Sequence, residues 1–276
     1  MRIAKILVCG YFTNQLVNFF MTVQRPPIRT QAERADQTRA RILDAAILIF
    51  SEKGLAGART EEIAAAAQIN KAMLYYYFKS KQQLYDAALE QAVDDALAKV
   101  NATIGQGHSA GERLLYFALN HFDRLHSRQT LHNLMHQEMA RMKHGEKNTA
   151  PSIVERLFQP MIRQVGKLIA EGQRKGELID ASPWQIMNTA LGANTFYFLS
   201  APVIGMATGR DLFSHKELAR QRVAAIELLG KALFCNRAHG ASVAKKVLDS
   251  TPMPASGNLD HWQHHWRFHH LQEKHK

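Results

Sequence analysis

The chain has 276 residues, enough for one large domain or for a small domain joined to a medium one. Its 46% apolar and 21% charged residues are typical of a globular protein and argue against a disordered one. A formal net charge of +11 indicates a polyanionic partner, either nucleic acid or an acidic membrane surface, and charge alone does not choose between them.

The first predicted element is a flexible arm over residues 1–35, because residues 22–35 are polar, basic and proline-bearing. Residues 1–20 imitate a signal peptide only weakly, since polar residues interrupt the apolar stretch and no small-residue cleavage site follows. Met21 is an alternative translation start, because the patterned sequence begins only after it. No other apolar run reaches the roughly 18 residues that a membrane span needs, so we expect no membrane partner.

Helical periodicity begins at Asp36 and predicts a first helix over 37–53, ended by Gly54. A second, short helix is predicted from Thr60 as N-cap to Ala67. A break of three residues, 68–70, separates it from a third helix over 71–78. Ser80 then opens a capping box and a long helix over about 81–100.

The rest of the chain continues the helical pattern, and we find no run of alternating strands. The predicted helices cover about 110–127, 130–143, 151–175, 183–207 with a kink or break near Pro202, and 215–234. Residues 237–276 are rich in His, Ser and Pro with weak periodicity, so we predict a disordered or amphipathic tail. The predicted fold class is therefore all-α.

Two short helices joined by about three residues form a helix-turn-helix when each has an apolar face and the second also has an exposed one. Leu74 and Phe78, spaced i and i+4, would anchor the second helix to the body of the domain. The remaining side chains then surround its open side: Lys71, Ala72, Met73, Tyr75, Tyr76 and Tyr77.

These residue types suit a DNA duplex. Lys71 can donate to guanine O6 or N7, small Ala72 permits close approach, and Met73 can contact a thymine methyl group. Lys81, in the first turn of the next helix, suits a phosphate. Two alternatives remain open, namely that the tyrosines form an aromatic core stripe and that Lys71 and Lys81 are merely solvated charges.

The segment from Thr38 to Leu89 resembles the DNA-binding domain of the tetracycline-repressor (TetR) family. The resemblance rests on the patterns T-R-x-x-I-L-D-A-A, F-x-x-K-G, T-x-x-I-A and L-Y-x-x-F-x-S-K-x-x-L. The sequence departs from the family at Gln68-Ile69-Asn70, where relatives commonly have Gly-Val-Ser, and at Tyr77, a position sometimes held by His.

The resemblance implies a ligand-responsive repressor that binds a palindromic operator in double-stranded DNA as a homodimer. It implies that Thr60, Tyr77 and Lys81 contact the DNA backbone, and that base contacts come from residues 71–73 and 75. The complete predicted DNA-binding set is Arg59, Thr60, Lys71, Ala72, Met73, Tyr75, Tyr76, Tyr77 and Lys81. The implied domains are 36–96 for DNA binding and 97–236 for effector binding and dimerisation.

The C-terminal part is compatible with these roles. Apolar faces of the helices beginning near Trp184 and His215 could form a four-helix dimer interface or an ordinary intrachain core. A pocket for an unknown small-molecule effector is predicted among Phe122, His126, Met135, Met139, Phe158 and Phe196. His132 and His136 have the spacing of metal ligands, but no Cys or carboxylate completes a set, so we predict neither metal nor cofactor.

We predict no enzyme activity, because the sequence has no nucleophile, zinc-protease, P-loop or dinucleotide signature. Two cysteines, Cys9 and Cys235, in unrelated contexts favour a reducing, cytoplasmic location. The alternative function is a basic architectural nucleic-acid-binding protein without a sensed ligand. Sequence-selective DNA binding separates the two.

Overall fold

A computed structural model describes residues 30–127, 130–146 and 149–254. Within these residues the regular elements are helical, apart from one isolated antiparallel bridge between Leu178 and Phe234. In chain order they are α1 (Gln31–Gly57), α2 (Thr60–Ala66), α3 (Lys71–Tyr77), α4 (Lys81–Ile104), α5 (Ala110–Ser127), α6 (Thr130–Lys143), α7 (Ala150–Ile153), a π-helical turn (Val154–Phe158), α8 (Gln159–Arg174), α9 (Pro183–Thr208), α10 (His215–Leu233) and α11 (Arg237–Ser250). The predicted all-α class is confirmed.

Helix α1 begins six residues before its predicted start. Thr30 Oγ1 accepts a hydrogen bond from the Glu33 amide at 3.2 Å, and the Glu33 carboxylate accepts one from the Thr30 amide at 2.7 Å. This reciprocal capping box starts the helix, so the prediction of a flexible arm is wrong for residues 31–35. The proposed start at Met21 and the rest of the arm lie outside the described residues.

A first hydrophobic core, here called the N-terminal core, is shared by the four helices α1, α2, α3 and α4. Its buried members include Ile42, Ala46, Phe50, Ile63, Leu74, Leu84, Tyr85 and Leu89, together with Leu134, Ile153 and Leu157 from later in the chain. Helix α6, α7 and the π-helical turn therefore complete this core. Gly54, with φ of 69°, interrupts α1 at the predicted stop.

A second hydrophobic core, the C-terminal core, surrounds α5. Twelve of the eighteen α5 residues are buried, and α4, α8, α9, α10 and α11 pack against this helix. Consecutive helices α5 and α6 make few direct contacts with each other, because α6 packs on α4 and α7 instead. Helix α5 is therefore the central element of the larger part of the chain.

The predicted helix over 151–175 is divided by the π-helical turn. Pro160 lies in the first turn of α8 and has no amide hydrogen to donate to the preceding turn. A proline at this position disturbs the regular hydrogen-bond ladder, which accounts for a local change of helical type before it. The helical pattern of the sequence does not register this change.

Residues 237–250, predicted as part of a disordered tail, form α11 and pack closely against α10. Asn236 caps the helix, because its side chain accepts a hydrogen bond from the His239 amide at 3.0 Å. Gly230 of α10 and Gly240 of α11 allow the two backbones to approach, since a Cβ atom at either position would clash with the other helix. The histidine-rich residues 255–276 lie outside the described residues.

Helix α9 starts with the predicted capping box at Ser182 and continues without a break through Pro202. By length and a mean hydropathy of 1.2, it is the one described helix that could cross a membrane. One of its faces packs on α5 and α8, and the other is exposed and apolar.

Candidate nucleic-acid interface

Helices α2 and α3 form the predicted helix-turn-helix, with a difference at its first residue. Arg59, not Thr60, occupies the N-cap position of α2, and it makes no side-chain cap bond. Thr60 is buried, with 6% of its surface exposed, and its hydroxyl lies 3.4 Å from the Tyr75 hydroxyl. Arg59 is exposed. The Thr60–Tyr75 contact therefore joins the first turn of α2 to the middle of α3.

The turn between the helices adopts the conformation that glycine favours, without a glycine. Gln68 has φ of 56°, its amide donates to Ala65 O at 3.0 Å, and the Ile69 amide donates to Ala64 O at 2.9 Å. This pair of bonds is the Schellman arrangement that ends helices. Asn70 then caps α3, because its side chain accepts from the Met73 amide at 2.7 Å. The departure from the family pattern at this turn thus leaves its geometry intact.

We expect Gln68→Gly to stabilise the protein by about 0.5–1 kcal/mol, because a left-handed conformation costs a side-chain-bearing residue free energy that glycine does not lose. Urea unfolding followed by circular dichroism measures the difference. Ala66→Gly, in the last turn of α2, is the control and should destabilise by about 1 kcal/mol. If both variants destabilise alike, the turn at Gln68 is not strained.

Helix α3 is anchored as predicted, because Leu74 is fully buried and Phe78 is 2% exposed. Its outer surface carries Lys71, Ala72, Met73, Tyr75 and Tyr76, and Tyr76 is 75% exposed. Tyr77 is partly buried and packs edge-on against Tyr76 with ring centroids 5.5 Å apart. An aromatic core stripe therefore does not explain the tyrosines at 75 and 76.

An acidic residue that the sequence reasoning did not single out modifies the exposed surface. Glu61 of α2 forms an ion pair and a hydrogen bond with Lys71 of α3. The hydrogen bond from Lys71 holds the pKa of Glu61 below its ordinary value, and the same contact raises the pKa of Lys71. Both side chains are more than half exposed, so the pair is open to competition from a DNA phosphate or base.

Two further lysines flank α3. Lys81 Nζ donates to the Ala56 carbonyl at 3.2 Å, so it links the first turn of α4 to the end of α1. Lys79, which was not among the predicted residues, is exposed, with its Nζ 6.0 Å from the centre of the Tyr76 ring. The two amines place positive charge beside the end of α3, where a phosphate would meet it.

The six predicted pocket residues do not come together. Phe122 packs with Phe198 in a buried cluster that also contains Leu125 and Leu218, and His126, one turn along α5, is fully buried. Burial lowers the pKa of His126. Met135 packs against the N-terminal core, and Phe158 packs against both the N-terminal and the C-terminal core. Met139 and Phe196 are 52% and 65% exposed.

These positions do not support one pocket lined by all six residues, and the place of the effector site stays a prediction. Helical periodicity identifies apolar positions, but it does not say which of two cores each position faces. An open groove of about 560 Å³ lies elsewhere, lined by Met142, Ala150, Pro151, Val154, Glu155 and Gln159.

Comparison with known proteins gives two family matches. Residues 42–88 match the model for bacterial regulatory proteins of the tetR family, and residues 112–229 match the tetracyclin repressor-like C-terminal domain. The two segments contain the helix-turn-helix and most of the C-terminal core, respectively.

Among curated relatives, the chain is 36% identical over 97 residues to the HTH-type transcriptional repressor NicS of Pseudomonas putida. That alignment covers 34% of this chain and 46% of NicS, so the chain matches just under half of that relative. It is 29% identical over 155 residues to the HTH-type transcriptional repressor SCO4008 of Streptomyces coelicolor, covering 55% of this chain and 73% of the relative.

Among solved structures, a gamma-butyrolactone receptor described as an ArpA-like protein has a similar fold. The TM-score is 0.55 at 18% identity, and the match covers 79% of this chain and all of the receptor. This likeness shows the fold alone.

Proposed function

Because the chain belongs to the TetR family of bacterial regulatory proteins, we propose that it is a sequence-specific transcriptional repressor. In this proposal a homodimer binds a palindromic operator in double-stranded DNA and releases it in response to a small molecule. The observation that carries the proposal is helix α3, which is anchored by buried Leu74 and Phe78 and presents residues 71–73, 75 and 76 to solvent. A helix held in this way can enter a major groove.

The DNA contacts divide by chemistry. Lys71, Ala72, Met73 and Tyr75 are proposed to meet base edges, and Arg59, Tyr76, Tyr77 and Lys81 to meet the sugar-phosphate backbone. Buried Thr60 is proposed to act indirectly, because its hydroxyl meets that of Tyr75. Lys79 joins the backbone set on the basis of its exposed position.

The dimer interface is proposed to be the outer face of α9 together with α10. Phe196, Leu199, Val203 and Met206 recur at spacings of three and four residues and are between 48% and 65% exposed. Leu228 of α10 adds another apolar side chain, 67% exposed. On the two helices that the sequence predicts for this role, Trp184 is 61% exposed and Leu191 is partly buried. The other apolar residues of the predicted faces are buried within the chain, namely Met187, Phe198, Leu218, Ile226, Leu229 and Leu233.

A charge on this face should separate the subunits. We expect the double variant Phe196→Glu/Val203→Glu to sediment as a monomer and to lose operator binding, because two reading helices about 34 Å apart need both subunits. Leu48→Glu, at a leucine of α1 that is 51% exposed, is the control for oligomeric state and should remain dimeric. A dimeric double variant would contradict the proposed interface.

Effector binding is proposed to act through α4, which connects the helix-turn-helix to the C-terminal core. A small change in the angle of α4 would alter the separation of the two α3 helices and weaken their fit to successive grooves. Coupling between effector and operator must be reciprocal, so an effector that binds tightly without changing operator affinity would contradict this mechanism.

Selection of bound fragments from genomic DNA tests the central claim. A repressor enriches fragments that share a near-palindrome, and Lys71→Ala lowers its affinity for them about tenfold or more. The architectural alternative binds all fragments alike and loses little on that change. The control is Lys175→Ala, an exposed lysine of the C-terminal part that pairs with Glu171.

A substitution of Glu61 should change operator affinity in the opposite direction to Lys71→Ala. We expect Glu61→Gln to bind the selected operator several-fold more tightly, because it removes a negative charge beside the DNA and frees Lys71. Fluorescence anisotropy between 50 and 200 mM salt should also give a steeper salt dependence than for the wild type. Glu62→Gln is the control, because Glu62 pairs with Lys53 instead, at 2.9 Å. Weaker binding by Glu61→Gln would mean that the ion pair positions Lys71 for its base.

Operator DNA lies in the bacterial cytoplasm, and we propose that the chain acts there. We assign no chemical reaction to it.

A further inference from the structure

The face of α5 that is turned toward α6 carries a group of basic side chains. His121 and Arg124 lie one turn apart on α5, and His132 and His136 lie one turn apart on α6 with ring centroids 4.4 Å apart. The charges of Arg124 and His132 both act on His121, so these side chains of α5 and α6 lie close together along the seam between the two helices.

Arg124 forms no hydrogen bond or ion pair within the described part of the chain, and the acid whose charge acts on it, Asp123, is held by another arginine. Asp123, the adjacent acid, is bound by Arg222 through bonds of 2.7 and 2.8 Å, and no described residue forms a hydrogen bond or ion pair with Arg124. Burial lowers the pKa of Arg124 to about 10, so the guanidinium is still charged near neutral pH. A cation removed from water without an anion is unfavourable, because desolvation is not offset by an attraction.

His121 adds a second unsatisfied group at the same place. Its Nδ1 atom is buried and has no hydrogen-bond partner. Burial, with the neighbouring charges of Arg124 and His132, lowers the pKa of His121 to about 3. Burial likewise lowers the pKa of His132 to about 4. Both imidazoles are therefore neutral near pH 7, and each can donate one N–H to an acceptor.

The surroundings are apolar on the same face of α5. Phe117 and Leu125 stand one turn before and one turn after His121, and both are buried. The basic group is therefore flanked by hydrocarbon side chains along this face of α5. A planar oxyanion matches a guanidinium fork, which donates two parallel hydrogen bonds.

We infer that the seam between α5 and α6 binds the carboxylate of an organic acid, with Arg124 as its cation and His121 and His132 as neutral donors. This inference rests on the proposed function, since it gives the effector its chemical class. The apolar body of the acid would lie along the Phe117 and Leu125 side of α5.

The test compares acids with their amides on the full chain. Thermal unfolding is followed with sodium acetate, hexanoate and benzoate, each against the matching amide in sodium chloride of equal ionic strength. We expect at least one acid to raise Tm of the wild type by about 3 °C or more over its amide, and Arg124→Gln to abolish that difference. Arg163→Gln, at an exposed arginine of α8, is the control and should keep it.

The unliganded proteins give a second measurement that needs no ligand. We expect Arg124→Gln to raise Tm, because the substitution removes an unpaired, desolvated charge. The inference is overturned if Arg124→Gln lowers Tm, or if no acid stabilises the wild type more than its amide does. Fragment selection separates the proposed repressor function from the proposed carboxylate site. Operator binding without an acid effect would contradict only the carboxylate site. An Arg124-dependent rise in Tm with an acid, without operator binding, would contradict only the proposed repressor function.

Discussion

Replacing Glu138 by alanine is expected to lower the free energy of unfolding by about 3 to 5 kcal/mol, the usual cost of removing one partner from a buried charged pair. Glu138 is 1% exposed and accepts four hydrogen bonds. They come from Tyr85 Oη at 2.8 Å, Arg141 Nη1 at 2.7 Å, and the amide and hydroxyl of Thr149 at 2.7 Å each. Without the carboxylate, the Arg141 cation and the Tyr85 hydroxyl lose their shared acceptor.

The effect of pH follows the same contacts. Burial alone would raise the pKa of Glu138, but the bonds from Thr149, Tyr85 and Arg141 hold it below its ordinary value. The ionised Glu138 carboxylate therefore contributes fully to the free energy of unfolding above its unfolded pKa of about 4.3. This contribution is lost as the pH falls through the lower folded pKa.

Urea unfolding of the variant at pH 7 and at pH 4 measures both effects. The control is Glu146→Ala, because Glu146 also pairs with Arg141, at 3.4 Å, but is 57% exposed. It should change stability by no more than about 0.5 kcal/mol. Equal losses for Glu138→Ala and Glu146→Ala would show that the buried network adds nothing beyond a surface ion pair.

Gly240→Ala is expected to cost about 3 kcal/mol, at the upper end for overpacking. A Cβ atom there would lie 2.0 Å from the Gly230 carbonyl oxygen and 2.8 Å from Cβ and Cγ of Phe234. The carbonyl belongs to the backbone of α10, so it cannot rotate away as a flexible side chain would. Helix α11 must then separate from α10.

Gly166→Ala is the matched control, because Gly166 lies inside α8 with no heavy atom within 4 Å of an added Cβ. It should stabilise the protein by up to about 1 kcal/mol through helix propensity. Circular dichroism in urea measures both variants, and hydrogen exchange should show faster exchange in α11 for Gly240→Ala. The opposite expected signs make the test decisive: destabilisation by both variants would refute the packing argument.

The helix-turn-helix could be predicted from sequence because its signals are local. The Gly54 stop, the Ser80 cap and the i, i+4 pair Leu74 and Phe78 each act within a few residues, and the structure bears them out. The contact of Glu61 with Lys71 on α3 depends on how two helices meet, and no local sequence signal predicts it.

The sequence pattern does not predict helix α11, for a different reason. Its residues have weak periodicity, and its docking depends on the approach of Gly230 and Gly240, which are ten positions apart and on different helices. The predicted effector pocket meets a similar limit, because Met135 and Phe122 both look like core residues, but Met135 packs against the N-terminal core and Phe122 lies in the separate cluster with Phe198. Which core an apolar residue joins is a property of packing and not of spacing.

Leu134, Ile153 and Leu157 complete the N-terminal core although they follow α5 in the chain. The predicted DNA-binding domain, residues 36–96, therefore does not contain its whole hydrophobic core. A fragment ending with α4 would leave apolar surface of Leu84, Leu89 and Val93 without its cover. A chimera that grafts this operator specificity onto another sensor domain should therefore carry residues 130–158 with it, or replace their three buried side chains by equivalents from the new partner.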